Sequence, residues 1–375
     1  MFQSLLLKNF RNFDEVSVPL SPQINIFLGN NGQGKTNLLE ALYLISNGDS
    51  FRYADNENFL KKGFNESFLK ARAVSADLDF DLELTILKSR KNHLLNKKRV
   101  TGSELSKKFP SVVFSPESLS AIKDGADQRR QLIDEILVSF RPANADLIGD
   151  FKKALKTRNR ILKNYVSGES DRKQTELLME SLFPSFLKLS TDLTWQRLEA
   201  LRAIHGDVNN AMQYVVGSDS QIVDISVEYV ASSENLMPLS REEVEKRLRK
   251  RFNELFDAEL ASGASLVGPQ RHDVVFLYNE NDSRFYCSQG QQRALILSFK
   301  MAQIVYHRKL HGIYPMLMLD DVMSELDSLR RDSLTRFLSE IKTQIFITTT
   351  DFTLPTSLKS EDCAVLRVRE GQIGN

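Results

Sequence analysis

Eight consecutive residues, Gly29-Asn30-Asn31-Gly32-Gln33-Gly34-Lys35-Thr36, match the phosphate-binding pattern G-x-x-x-x-G-K-[ST]. Glycines there let the backbone wrap closely around phosphate oxygens, so that its N–H groups and the start of the following helix point at the anion. In such a loop Lys35 reaches the β- and γ-phosphates, and the Thr36 hydroxyl ligates the Mg²⁺ that bridges them. Far along the chain, Met316-Leu317-Met318-Leu319-Asp320-Asp321 is an apolar run ending in two carboxylates. That layout brings Asp320 into the metal shell beside the γ-phosphate and lets Asp321 hold or deprotonate an attacking water. ATP and Mg²⁺ are the expected cofactors, with Lys35, Asp320 and Asp321 as the catalytic set.

These residues need a strand before the loop and a helix after it. Ile24 to Leu28 supplies the first, and Leu38, Leu39, Ala41, Leu42 and Ile45 recur at helical spacing for the second. Further strands are expected at Phe2 to Lys8, Val16 to Leu20, Phe68 to Val74 and the alternating set Leu78, Phe80, Leu82, Leu84 and Ile86, followed by a basic tip from Lys88 to Arg99. From about Glu117 to Leu260 the periodicity is helical, with Pro184 breaking one helix and Ser240-Arg241-Glu242-Glu243 capping another. Strands return at Val274 to Tyr278, Tyr314 to Leu319, Ile345 to Thr349 and Ala364 to Val368. The expected architecture is therefore an α/β nucleotide-binding lobe of residues 1–116 and 265–375, split by a helical lobe of residues 117–264.

The 375 residues are 41% hydrophobic and 26% charged, an ordinary globular composition that excludes wholesale disorder. Fifty Lys and Arg against 49 Asp and Glu leave a formal charge of +1, so any nucleic-acid contact must come from local patches. Two cysteines, Cys287 and Cys363, without a C-x-x-C pair fit a reducing, cytoplasmic compartment and plain thiols. His307 and His311 have the i, i+4 spacing of a zinc pair, but Arg308 stands where a metalloprotease carries Glu, so surface histidines are expected. No apolar stretch approaches a membrane span.

Two more strings narrow the class. Ser288-Gln289-Gly290-Gln291-Gln292-Arg293 stands just before a helix, where a hydroxyl and free N–H groups suit an anion, and Ser324-Glu325-Leu326-Asp327 follows the acidic pair at once. Together with Phe10-Arg11-Asn12-Phe13, Phe114-Ser115-Pro116-Glu117 and Gly268-Pro269-Gln270-Arg271, they make nearly the whole chain resemble the RecF family, DNA replication and repair ATPases of the ABC and SMC-like class. The resemblance implies an ABC-type P-loop head with a helical insertion lobe and no long coiled coil. It implies an ATP-dependent head-to-tail homodimer in which Ser288, Gly290, Gln291 and Asp327 close the partner's site, while Arg11 and Asn12 lie near the base or ribose. It also implies double-stranded and gapped DNA as partners, with RecO and RecR helping to load RecA on single strands.

An SMC-like structural head is the alternative, but the roughly 280 residues between Thr36 and Met316 hold no sustained heptad run for a long arm. An ABC transporter would place Glu at 321 and His at 350, where this chain has Asp321 and Thr350. The shorter acid predicts slow hydrolysis. For DNA, Lys97, Lys98 and Arg99 on the basic tip and the pair Arg129 and Arg130 are the candidate phosphate contacts.

Overall fold

A computed structural model describes residues 1–52, 54–75, 78–217, 223–350 and 363–374. The chain forms two compact units, one of residues 1–120, 210–222 and 288–375, the other of residues 121–209 and 223–287. The cut differs from the expected lobe of 117–264 in three places, the smallest being that residues 117–120 group with the first unit. Residues 265–287 group with the second unit because strand Asp273–Tyr278 pairs antiparallel with Ile225–Ala231, a strand not anticipated inside a helical insertion. Residues 210–222 group with the first, where the Ser298 hydroxyl donates to Met212 Sδ at 3.3 Å and the Ser333 hydroxyl to the Val215 carbonyl at 3.5 Å.

The first unit contains two six-stranded sheets. One runs in the order Gln372–Gly374, Cys363–Arg369, Ile24–Leu28, Ile345–Thr349, Met316–Asp320, Ser111–Phe114, parallel except for the hairpin at its edge. Every residue of Ile24–Leu28, Ile345–Thr349 and Met316–Asp320 is buried, which is why these strands read as mainly apolar runs rather than alternating ones, with Asn25 and the polar ends Asp320, Thr348 and Thr349 as buried exceptions. The other sheet is antiparallel, in the order Phe13–Pro19, Phe2–Phe10, Glu66–Ser75, Leu78–Leu87, Arg90–Leu95, Lys98–Arg99. Phe80, Leu82, Leu84 and Ile86 share its buried face, whereas Leu78, at the strand's start, is exposed. The helix Lys35–Asn47 is packed into one core with both sheets: its Leu38, Leu39, Leu42 and Ile45 join Leu5, Leu69 and Leu84 of the antiparallel sheet and Phe27, Met318 and Phe346 of the parallel one. Each such buried side chain stabilises the fold by ~1.5–3 kcal/mol, so the helix behind the phosphate loop is held from two sides.

In the second unit, Ser240 and Glu243 form the expected capping box at the start of helix Arg241–Glu254. Pro184 does not end a helix: Arg172–Val216 runs through it. An internal proline forfeits a backbone hydrogen bond and costs about 3 kcal/mol, but the residues around it are anchored by packing. Phe183 and Phe186 lie edge-on to Phe252 at 5.8 and 5.6 Å, and Phe186 stacks on Phe151 at 5.7 Å. Periodicity alone does not register that compensation.

Among the described residues no helix is long and apolar enough to cross a membrane. Cys287 and Cys363 are unbridged, and burial pushes both thiols above the ordinary range. His307 departs from the surface expectation: it is buried, with its ring 4.4 Å from that of His311, because helix Gln289–His311 presents most of its circumference to the core.

Candidate nucleotide site

The phosphate loop leaves the strand Ile24–Leu28 at the C-terminal ends of its parallel neighbours, the end at which open α/β sheets bind ligands. Gly29 is required there by space: a Cβ would stand 2.3 Å from the Val368 carbonyl oxygen. Gly34 is required twice over, by φ of 110° and by the side chain of Asn12, whose Nδ2 would lie 2.5 Å from an added Cβ. Asn30, Asn31 and Gly32 form the exposed crest. Gln33 is clasped from behind, since its carbonyl accepts from Asn12 Nδ2 at 3.0 Å and its side-chain oxygen from the Glu370 N–H at 2.6 Å.

Lys35 is buried, and its ammonium donates to the carbonyls of Gly29 at 2.7 Å and Asn30 at 2.9 Å, which cups the amine inside its own loop. Burial pulls its pKa down, while Asp321 and Asp320 oppose that shift. The Thr36 hydroxyl donates to Asp320 Oδ1 at 2.7 Å, and the Thr348 hydroxyl to the same oxygen at 2.7 Å. Parallel pairing of Met316–Asp320 with Ile345–Thr349 places Asp320 opposite Thr348. Desolvation pushes the Asp320 carboxyl above the usual aspartate range, the two hydroxyls pull it back, and nearby Glu117 adds to the rise.

Asp321 adopts a left-handed conformation with φ 50°, tolerated by Asp better than by most residues. Its N–H donates to the Thr348 carbonyl at 3.2 Å and to Thr348 Oγ1 at 2.9 Å. Among the described residues its Oδ1 is buried without a partner. A buried carboxylate oxygen left unsatisfied is costly and marks a place for a ligand or water. The donor set suits Mg²⁺, which takes hard oxygens and uses few protein ligands. Thr36 and Asp320 would hold it.

Arg11 and Asn12, expected near the base or ribose, are engaged beneath the loop. Arg11 forms a bidentate pair with Glu40, both contacts at 2.9 Å, and Glu40 is fully buried and also accepts from the Ser50 hydroxyl at 2.6 Å. Asn12 uses its amide on Gln33 and its oxygen on Asn37 Nδ2 at 2.8 Å. Thr350 follows the strand Ile345–Thr349 and is half-buried. Two side chains that shape the site escaped the sequence reading, Thr348 and Glu40, while Gln33, expected at the nucleotide, also ties the loop to Asn12 and Glu370. A threonine ending an apolar strand and a lone carboxylate on an apolar helix face were the available signals.

Ser288 is exposed and caps helix Gln289–His311, accepting from the Gln291 N–H at 3.2 Å while Gln291 Oε1 accepts from the Ser288 N–H at 2.8 Å. Asp327 caps helix Ser328–Glu340 by accepting from the Arg330 N–H at 3.0 Å. Ser288 and Gln291 are thus occupied with each other's backbone and not with their own chain's phosphate loop.

The candidate DNA residues separate. Lys97, Lys98 and Arg99 are exposed at a two-residue turn in which Asn96 and Lys97 have positive φ, the twist-matched hairpin geometry. Among the described residues none of the three is in an ion pair. The basic stretch is not one tip, because strand Arg90–Leu95 separates Lys88 from this turn and Lys91 is held by Asp49 at 2.7 Å. Arg129 is corrected outright: it is 4% exposed, forked onto Asp273 at 2.8 and 3.0 Å and donating to the Ile122 carbonyl. Arg130 likewise donates to the His272 carbonyl and pairs with Asp127. Both are structural.

The segment Gln270-Arg271-His272 has a buried member. Burial, reinforced by Arg197 and Arg130, pulls His272 down to about 3, and its Nδ1 lies 3.2 Å from the Tyr229 hydroxyl. The folded state therefore refuses a proton that the unfolded chain accepts below about 6.5. Stability is complete above that pH and is lost as pH falls towards 3. His272→Gln is expected to flatten the acid limb of urea-unfolding profiles by up to ~1.4 kcal/mol per pH unit. An unchanged slope would dismiss His272 as its source.

A parallel sheet with a phosphate loop, an acidic strand end and capped signature-type and following helices defines a P-loop ATPase head of the ABC and SMC-like class. A family model described as the RecF/RecN/SMC N-terminal domain matches residues 1–370. The chain is 34% identical over 375 residues to the DNA replication and repair protein RecF of Heliobacterium modesticaldum, covering 99% of this chain and 98% of that one. It is 32% identical to RecF of Syntrophotalea carbinolica, covering 98% of both. The solved structure of the recombination mediator protein RecF with ATP superposes with a TM-score of 0.83 at 25% identity, covering 100% of this chain and 98% of that one. The chain belongs to the RecF family.

Proposed function

We propose that this protein is an ATP-dependent DNA-binding switch of recombinational repair and replication-fork recovery. Mg-ATP binds at Gly29 to Thr36, two chains pair head to tail, and the Ser288 segment of each closes the site of the other. The closed dimer clamps double-stranded DNA or a gap junction and, with RecO and RecR, helps to load RecA on the adjoining single strand. Slow hydrolysis, with Asp321 orienting the water, reopens the clamp. The observation that carries this reading is the meeting of Thr36, Thr348 and Asp320 beside the Asp321 Oδ1, which has no partner among the described residues. Bound Mg²⁺ would neutralise charge developing on the β- and γ-phosphate oxygens. Lys35 would transfer its hydrogen bonds from Gly29 and Asn30 to phosphate, Thr36 and Asp320 would orient the metal, and Thr348 would keep both acids in register.

Light scattering and DNA anisotropy in one buffer test the proposal: Mg-ATP, and not ADP, is expected to drive both dimerisation and binding to a gapped duplex. A chain that stays monomeric and ignores DNA overturns it.

The exposed turn supports a backbone-directed contact, which is indifferent to sequence and sensitive to salt. Replacing Lys97, Lys98 and Arg99 together by Ala is expected to weaken duplex binding and lower the slope of log K against log salt by about two to three, with ATP binding intact. An unaltered slope removes this hairpin from the interface.

A further inference from the structure

In the second unit, helix Asn144–Val166 buries Phe151, Arg158 and Leu162, which fixes how it is turned about its axis. At 3.6 residues per turn, Lys152, Lys156, Arg160 and Lys163 then share a sector of about 80° on another side, in a row about 16 Å long. All four are exposed. Among the described residues none of the four takes part in an ion pair or a side-chain hydrogen bond. The sequence offers them no local partner either, since it holds no Asp or Glu between Asp150 and Glu169.

Exposed cations on the other helices of this unit are arranged differently. Arg172 pairs with Glu176 at 2.7 Å, Lys188 with Asp192 at 3.7 Å, Arg249 with Glu245 at 2.9 Å and Lys250 with Glu254 at 3.8 Å. Each of those acids stands one helical turn from its cation, the usual form of a solvated charged face. The row has the reverse arrangement. Lys152 and Lys156, and Lys156 and Arg160, are like charges at i, i+4, a spacing that opposes helix formation. Packing of the opposite face holds the helix in place against that repulsion, and the four charges stay available to an outside anion.

The geometry of the row selects the kind of anion. Between Lys152 and Lys163 no large apolar side chain is exposed, so nothing there would enter a lipid layer. One strand of a duplex presents a phosphate about every 3.4 Å of axis, so a row of this length laid along it runs beside about four or five of them. Three of the four side chains are lysines, which meet phosphate as point charges and lack the fork that reads a guanine edge.

We propose that Lys152, Lys156, Arg160 and Lys163 form a duplex-binding surface of the second unit, contacting successive phosphates of one strand without reading bases. This rests on the DNA-binding reading above and extends it to a unit whose other candidates, Arg129 and Arg130, are committed to Asp273 and Asp127.

The test is duplex anisotropy between about 50 and 200 mM salt, with Mg-ATP, on two duplexes of unrelated sequence. It compares wild type, a row variant with Lys152, Lys156, Arg160 and Lys163 replaced by Gln, and a charge-matched variant with Arg172, Lys188, Arg249 and Lys250 replaced by Gln. Nucleotide binding and thermal midpoint are recorded for each. The row variant is expected to bind both duplexes about tenfold more weakly or worse and to lower the slope of log K against log salt by about three, while the charge-matched variant stays within about twofold of wild type. ATP affinity and midpoint of the row variant are expected to match wild type. If the row variant loses its midpoint, Lys156→Gln and Lys163→Gln singly replace it, each expected to lower the slope by about one. The proposal is overturned by a wild-type slope in the row or single variants, which would leave the row to an acidic protein. It is overturned equally if the charge-matched variant loses as much, which would make net charge the cause. A wild type that binds no DNA fails the DNA-binding reading first, before any variant is measured.

Discussion

Ser288→Arg is expected to abolish ATP-driven dimerisation while leaving nucleotide binding by the single chain within about twofold, a loss of at least a hundredfold in dimer affinity, or ~2.7 kcal/mol. The argument starts from position. Ser288 is exposed, and among the described residues its hydroxyl bonds its own helix start, at Gln291 N–H. A phosphate brought by a second chain must reach the N–H groups behind that hydroxyl, and a long cationic side chain fills the approach. Losing the cap also costs about 1 kcal/mol of stability. Ser288→Ala separates the two effects, since it loses the same cap without adding bulk. If Ser288→Arg and Ser288→Ala dimerise alike under light scattering, the segment does not face a partner-held nucleotide. The phosphate loop of the same chain should be indifferent, because Lys35 donates to the carbonyls of Gly29 and Asn30 and Thr36 to Asp320, all away from position 288 in the sequence.

Arg158→Met is the substitution expected to damage stability most. Arg158 is 4% exposed and Glu259 fully buried, joined by a 2.7 Å ion pair. The guanidinium also lies 5.1 and 5.3 Å from the ring centres of Phe186 and Phe252 and donates to the Ser265 hydroxyl at 2.8 Å. Glu259 Oε1 accepts from the N–H groups of Leu266 and Val267, tying the pair to the segment leading into Gly268-Pro269. Removing the cation strands a charge that cannot reach water, at a cost of about 3–5 kcal/mol. Arg158→Met with Glu259→Gln should recover most of that, because neutralising both partners removes the stranded charge. Urea unfolding decides it: a single-variant loss below ~1 kcal/mol would place the pair among those worth no more than a surface contact.

Arg158 also shows where the sequence misleads. It stands in a run with Lys152, Lys153, Lys156, Arg160 and Lys163 that reads as a basic helix face, yet it is a core residue. Arg129, paired with Asp273, and Arg197, forked onto Asp134 and donating to the Tyr229 hydroxyl, behave in the same way. Each partner lies tens of residues away along the chain, so local charge patterning carries no trace of it. Pro184 follows the same logic, since the aromatic contacts that keep its helix continuous include Phe252 on another helix.

By itself the sequence determined the phosphate loop, the acidic strand end, the Ser288 and Asp327 segments, and the buried parallel strands that carry the site. The chemistry of wrapping a phosphate demands particular residues at fixed, contiguous spacing, and strands buried on both faces are mainly apolar, so both leave local signatures. Only the tertiary structure decided which cations meet water and which meet buried carboxylates, that Thr348 holds both Asp320 and Asp321, that Glu40 anchors Arg11 beneath the loop, and that residues 265–287 group with the second unit. Those outcomes depend on pairing between residues distant in the chain, where the cost of desolvating a charge is settled by what the fold places against it.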